Sequence, residues 1–176
     1  MHKLERSIKK ISLELFGGSC RLTAELMNRN VDATGVDWAY NLDKAEGQCI
    51  LVDLTTKAGQ ELIWRILKHR SDEIVVVSMS PPCGTSSRAR EKEIPKHLIV
   101  AGVPRPRPLR NARFPFGIPN LSEKEQARVT SANKLYDFVT QVASFCQDKR
   151  IKWLIENPYS CPLYTSDADD DLPRYY

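Results

Sequence analysis

The sequence predicts an α/β fold with a mainly parallel sheet. Three observations predict it. Short apolar segments of strand type alternate with segments of helical period along most of the chain. The first strand runs directly into a Gly17-Gly18 turn, and each later strand stops on polar or rigid residues. The length of 176 residues, with 41% hydrophobic and 27% charged residues, suits one ordinary domain able to bury its own core.

The elements follow in order. Residues 11–16, ISLELF, read as a strand, and Leu22 and Leu26 at helical spacing place a helix over 20–29. A second strand closes on Asp37, and a third, 48–52, closes on Asp53. Leu62, Ile63, Trp64, Ile66 and Leu67 form the apolar side of a helix that Thr55-Thr56 can cap. The run EIVVVSM over 73–79 is β-branched and of buried type, and Ser80-Pro81-Pro82 stops it. Ser122 and Glu125 make a capping box before a long helix. Val129, Ala132, Leu135, Tyr136, Val139, Val142, Ala143 and Cys146 share one face of that helix. KWLIE over 152–156 is the fifth strand, ending at Asn157-Pro158.

The middle of the chain differs in kind. Residues 88–119 hold six prolines and no sustained apolar period, so a long loop is expected there, of the sort that acts as a lid. Between Arg88 and Arg113 lie eight Lys/Arg and two Glu, a local charge of +6 within a chain of net +4. A basic stripe in a nearly neutral body suits a phosphate-bearing partner. Residues 1–166 are expected to form one domain, with an acidic, flexible tail over 167–176.

Several function classes are excluded by expectation. No apolar run approaches the roughly 18 residues a membrane span needs, and the basic start has no apolar segment behind it, so an intracellular, non-membrane protein is expected. Five cysteines with no Cys-x-x-Cys pair, and three scattered histidines, make neither a zinc site nor a disulfide framework. No metal is expected, and His69 and His97 are read as solvent-facing.

In an open parallel sheet, ligands gather beyond the carboxyl ends of the strands. The distinctive residues here sit at those ends: Gly17-Gly18, Asp37, Asp53, Ser80-Pro81-Pro82-Cys83 and Glu156-Asn157-Pro158. The glycine turn lets a cofactor approach the backbone and the helix amides. Asp37, nineteen residues after Gly18, has the spacing of an acid that binds ribose hydroxyls, and Asp53 can accept from an adenine amino group. Cys83, held by two prolines, can act as a thiolate nucleophile if Arg88 and Arg90 supply positive charge.

These residues resemble the cytosine-5 methyltransferases that use S-adenosylmethionine. Glu14-Leu15-Phe16-Gly17-Gly18-Ser19-Cys20-Arg21 is similar to the family's first motif, Pro82-Cys83 to its Pro-Cys motif, and Glu156-Asn157-Pro158 to its Glu-Asn-Val motif. Asp37-Trp38 and Asp53-Leu54 fall where the family has its ribose and adenine contacts. The motifs span residues 11 to 158 in order.

The resemblance implies a class I methyltransferase-like Rossmann fold of about five recognisable strands, with S-adenosylmethionine as cofactor. It implies cofactor contacts at Phe16, Gly17, Gly18, Ser19, Asp37, Trp38, Asp53, Leu54 and Pro81. It implies Cys83 as the nucleophile that adds to carbon 6 of cytosine, with Glu156 holding the nitrogen 3 edge. Pro82, Arg88, Arg90 and Asn157 would contact the substrate, and the 88–119 stretch would close over a base taken out of its stack. The partner implied is nucleic acid, DNA ahead of RNA.

The departures are Cys20 and Arg21 in place of two glycines, Gly84 in place of a glutamine, and Pro158 in place of a valine. Only 18 residues follow Pro158. A compact member, or one that relies on a partner chain or missing segment for target recognition, is therefore expected; Arg105, Arg107 or Arg110 is a candidate for the family's later arginines. Three readings stay open beside this one. Ser80-Pro81-Pro82 resembles the amino-group methyltransferase motif for cytosine N4 or adenine N6. Cys161, near the fifth strand, gives a lesser resemblance to the two-cysteine RNA enzymes. A module that has lost catalysis and only binds nucleic acid or protein keeps the basic stretch without needing a cofactor.

Overall fold

The structure, a computed structural model, describes residues 10–41, 44–87, 92–93, 95–100 and 106–157, apart from the side chain of Leu98. Arg88, Arg90, Arg105, Pro158, Cys161 and the acidic tail lie outside the described residues. The chain divides into two compact units, one made of residues 1–81 and 134–156, the other of 82–133 and 157–176.

The first unit carries the sheet. Its strands are β1 (Ile11–Leu15), β2 (Asp32–Asp37), β3 (Cys49–Leu51), β4 (Ile74–Met79) and β5 (Lys152–Ile155). They lie in the order β3-β2-β1-β4-β5, and all four pairings are parallel. Helices α1 (Arg21–Asn28) and α2 (Lys57–His69) connect successive strands, so the expected α/β fold with a five-stranded parallel sheet is what forms. The order is that of a doubly wound, Rossmann-like sheet, which reverses direction between β1 and β4. Leu15 pairs with Val36 on one side and Met79 on the other, and Met79 pairs with Ile155. The ends of four strands therefore stand side by side.

The core explains the strand sequences. Leu13, Leu15, Val36, Val77 and Met79 are essentially inaccessible and pack with Ile63 and Leu67 of α2. Strands buried on both faces read as continuous apolar runs, as β4 does. The long helix α4 (Glu123–Lys149) contributes Leu135, Phe138, Val139, Val142 and Cys146 to this core. Trp64 of α2 meets Phe138 and Phe145 edge-on, with ring centroids 5.9 and 5.6 Å apart. Thr56 is the N-cap of α2, its hydroxyl accepting from Gly59 N–H at 3.1 Å. Within α1 the expected apolar stripe is not the buried one: Leu22 is exposed, and the buried residue is Thr23. His69 and His97 are both exposed.

The described residues of the second unit include regular structure within the stretch read as a loop. The unit contains α3 (Lys96–Val100), a β-bridge between Asn111 and Phe114, and the first turns of α4. The capping box forms as read: Ser122 N–H and hydroxyl both donate to Glu125 Oε2 at 3.0 Å, and Glu125 N–H returns to Ser122 Oγ. Among the described residues no helix is long and apolar enough to cross a membrane, and no cluster of side chains could hold a metal.

Candidate active site

The turn between β1 and α1 is built from alternate left-handed residues. Phe16, Gly18 and Cys20 have φ of 62°, 57° and 53°. Such alternation makes a concave backbone that favours anions, and the N-terminus of α1 adds partial positive charge. Holding the bulky Phe16 left-handed costs about 1–2 kcal/mol, which the surrounding structure must offset.

Two carboxylates already occupy this turn. Asp37, at the end of β2, accepts from the main-chain N–H of Gly18, from Trp38 N–H at 2.5 Å and from Asn41 Nδ2 at 3.0 Å. Glu14, inside β1, accepts from Thr23 N–H at 2.9 Å and from Thr23 Oγ1 at 2.5 Å. Thr23 is the third residue of α1, so Glu14 supplies the cap that the N-cap residue Cys20 does not. The sequence places Glu14 in a motif without revealing this role.

Cys20 and Arg21, the two departures from a glycine motif, point to harmless places. The Cys20 thiol is fully buried; its Sγ lies where a Cβ on Gly17 or Gly35 would stand, 2.8 and 2.4 Å from those positions. Gly35 is thus required by the thiol, and the thiol is turned away from the solvent side of the turn. Burial, followed by a hydrogen bond with Cys49, pushes the Cys20 thiol up to about 12. Arg21 is exposed and donates to Glu46 at 2.9 Å.

The other predicted cofactor contacts divide. Trp38 is half exposed at the end of β2, with the more exposed Tyr40 edge-on at a centroid distance of 5.2 Å. Asp53 spends one oxygen on a local turn, accepting from Thr55 N–H at 2.8 Å and Thr55 Oγ1 at 2.7 Å. Leu54 is 4% exposed and its side chain belongs to the core, so it presents no apolar surface to solvent. Ser19 and the glycines are half-buried, and Pro81 is buried beside Ser80, whose N–H donates to Leu15 O at 3.1 Å. Glu156 is exposed just beyond β5, its N–H donating to Met79 O at 2.9 Å. The first unit therefore brings together the glycine turn, Asp37 and Trp38, and sets Ser80 and Glu156 at neighbouring strand ends.

In the second unit Cys83 is half-buried and opens a tight turn. The N–H groups of Ser86 and Ser87 both donate to Cys83 O at 2.8 Å. Pro82 is exposed. Arg110, 4% exposed, locks this turn from behind: its guanidinium donates to Thr85 Oγ1 at 3.1 Å, Pro115 O at 2.7 Å, Asn133 Oδ1 at 2.6 Å and Val129 O at 3.3 Å. No periodicity marks Arg110 in the sequence, where it is one of eight basic residues in a proline-rich stretch. Arg107 pairs instead with Glu125 at 2.7 Å. The amide group of Asn157 is buried, with neither its nitrogen nor its oxygen hydrogen-bonded to a described residue.

No family model matches the chain, and no curated protein matches it in sequence. Solved structures resemble it in fold. A short-chain dehydrogenase of Leptospira borgpetersenii serovar Hardjo-bovis, solved with bound NAD+, gives a TM-score of 0.46 at 13% identity over 97% of this chain and 60% of that one. A short-chain dehydrogenase/reductase-family structure from Aeromonas hydrophila gives 0.36 at 10% identity over 87% and 86%. An NAD-dependent epimerase/dehydratase-type structure from Methylobacillus flagellatus gives 0.35 at 13% identity over 85% and 53%. The chain spans 60% of the length of the Leptospira protein. The likeness is one of fold alone.

Proposed function

We propose that the chain is an S-adenosylmethionine-dependent methyltransferase acting on carbon 5 of cytosine in nucleic acid, DNA ahead of RNA. One observation carries the choice of cofactor: Asp37 accepts from Gly18 N–H in the turn before α1, and Glu14 accepts from Thr23 N–H in the first turn of α1. A dinucleotide places its pyrophosphate on such amides. Here two of those donors, Gly18 N–H and Thr23 N–H, already have carboxylate partners and are not free for a phosphate. A nucleoside cofactor with hydroxyls and cationic groups, and no phosphate, is complementary to the same carboxylates.

The residues present fit such a group. Asp37 would hold the ribose hydroxyls, Trp38 would cover the adenine, and Gly17-Gly18 would border the amino-acid end, which the inward turn of Cys20 leaves clear. Bound there, S-adenosylmethionine supplies an electrophilic methyl group on a cationic sulfur.

The chain's own residues would do the rest. The Cys83 thiolate adds to carbon 6 of cytosine, and the electron pair released into the ring makes carbon 5 nucleophilic. Glu156 holds the nitrogen 3 edge of the ring and stabilises that pair. After transfer a base removes the carbon 5 proton, and the ring expels Cys83 as thiolate. Asn157, directly after Glu156, is a candidate partner for the polar edge of the base.

The test is covalent trapping. Incubated with S-adenosylmethionine and an oligonucleotide containing 5-fluorocytosine, the protein is expected to form a denaturant-resistant adduct, since fluorine blocks the final proton loss. Cys83→Ala must abolish it. Cofactor-dependent trapping that persists in Cys83→Ala contradicts the assignment of the nucleophile.

A further inference from the structure

In the second unit the segment from Asn111 to Gly117 forms a small hairpin that is firmly held and yet exposes aromatic rings. Its base is fixed from several sides. Phe114 N–H donates to Asn111 O at 3.0 Å and to Asn111 Oδ1 at 2.9 Å, and Gly117 N–H donates to Phe114 O at 3.2 Å. Ile118 N–H donates to Leu109 O at 3.0 Å. The buried Arg110 donates to Pro115 O, and Asn133 Nδ2 to Phe116 O at 3.0 Å. Leu109 and Val129 are fully buried, and the Val129 side chain lies against Gly117.

The side chains have the opposite character to this held backbone. Phe116 is 72% exposed, Phe114 is 36% exposed, and the Arg113 guanidinium lies over the Phe114 ring at 5.4 Å. Scattered exposed apolar residues need no explanation, but here an over-determined backbone presents two rings and a cation together. Aromatic rings beside positive charge are how proteins hold unpaired nucleobases: the charge follows the phosphates and the ring stacks on the base.

We propose that this hairpin is a nucleobase-stacking contact, with Phe116 as the platform and Arg113 as its phosphate-side partner. The inference rests on the reading that the substrate is nucleic acid, and it adds a contact independent of the cofactor and of Cys83.

The experiment uses the full chain and two single-stranded DNA oligonucleotides of equal length, one with bases and one abasic throughout, so that phosphate charge is constant. Fluorescence anisotropy of the wild type is expected to show about tenfold tighter binding of the base-bearing strand. Phe116→Ala removes that preference while leaving abasic affinity unchanged, and Phe116→Trp keeps it. An unchanged melting temperature in Phe116→Ala confirms that the fold is retained. Equal binding of both strands by the wild type, or a preference that survives Phe116→Ala, overturns the proposal. Binding of neither strand also overturns it and points to a protein partner for this surface. Base preference without adduct formation in the trapping experiment would keep the stacking contact and remove the methyltransferase reading, so the two fail separately.

Discussion

The main-chain N–H of Gly18 donates to the carboxylate of Asp37, joining the end of β1 to the end of β2. Glu14 caps the third residue of α1, so the turn and the first turn of the helix each hold one acid. The Gly18 and Thr23 amides therefore both have a carboxylate acceptor within the protein itself.

Glu14 is expected to be structural. Glu14→Ala removes the acceptor for both Thr23 N–H and Thr23 Oγ1 and leaves the buried threonine unsatisfied. A loss of about 1–3 kcal/mol follows, read from urea unfolding. Glu14→Gln keeps one acceptor and should recover part of it. Equal stability of Glu14→Ala and wild type would show that the cap contributes nothing.

The thiols should separate by burial. In the native protein at pH 8, iodoacetamide is expected to label Cys83 and spare Cys20 and Cys146. Both of the latter are fully buried, and burial pushes them up to about 12 and about 11. Peptide mapping by mass spectrometry, before and after unfolding, checks this. Native labelling of Cys20 would mean that its thiol is not wedged between Gly17 and Gly35.

Glu125 sets an acid limit. The hydrogen bond from Arg107, then that from Ser122 N–H, hold its carboxyl at about 2, below its ordinary 4.5. A lowered value in the folded state means stabilisation that is complete above about 4.5 and lost as the pH falls through about 2. Glu125→Gln should therefore be less stable than wild type at pH 7, modestly because the pair is solvent-exposed, and the two should converge below about pH 2. A stability difference that does not change with pH would contradict the assignment.

The sheet was legible in the sequence because its signals are local. β4 is a β-branched run stopped by Ser80-Pro81-Pro82, and the capping box at Ser122 and Glu125 needs only four residues. What the sequence withheld depends on contacts far apart in the chain. Leu22 at helical spacing suggests a buried stripe, but Glu14 draws Thr23 inward and leaves Leu22 exposed. Cys20 looks like an obstruction until Gly35, fifteen residues later, is seen to receive its thiol. Leu54 reads as an adenine neighbour by its place after Asp53, but its side chain is in the core. Arg110 resembles its basic neighbours in every local respect and differs only in being buried among four acceptors.

The most direct test of the central claim is a side-by-side calorimetric titration of the full chain with S-adenosylmethionine and with NAD+. Saturable binding of S-adenosylmethionine is expected, weakened roughly tenfold or more by Asp37→Ala through loss of charged hydrogen bonds, with no binding of NAD+. Binding of NAD+ in preference to S-adenosylmethionine would contradict that claim, because Glu14 and Asp37 would then have failed to exclude a pyrophosphate.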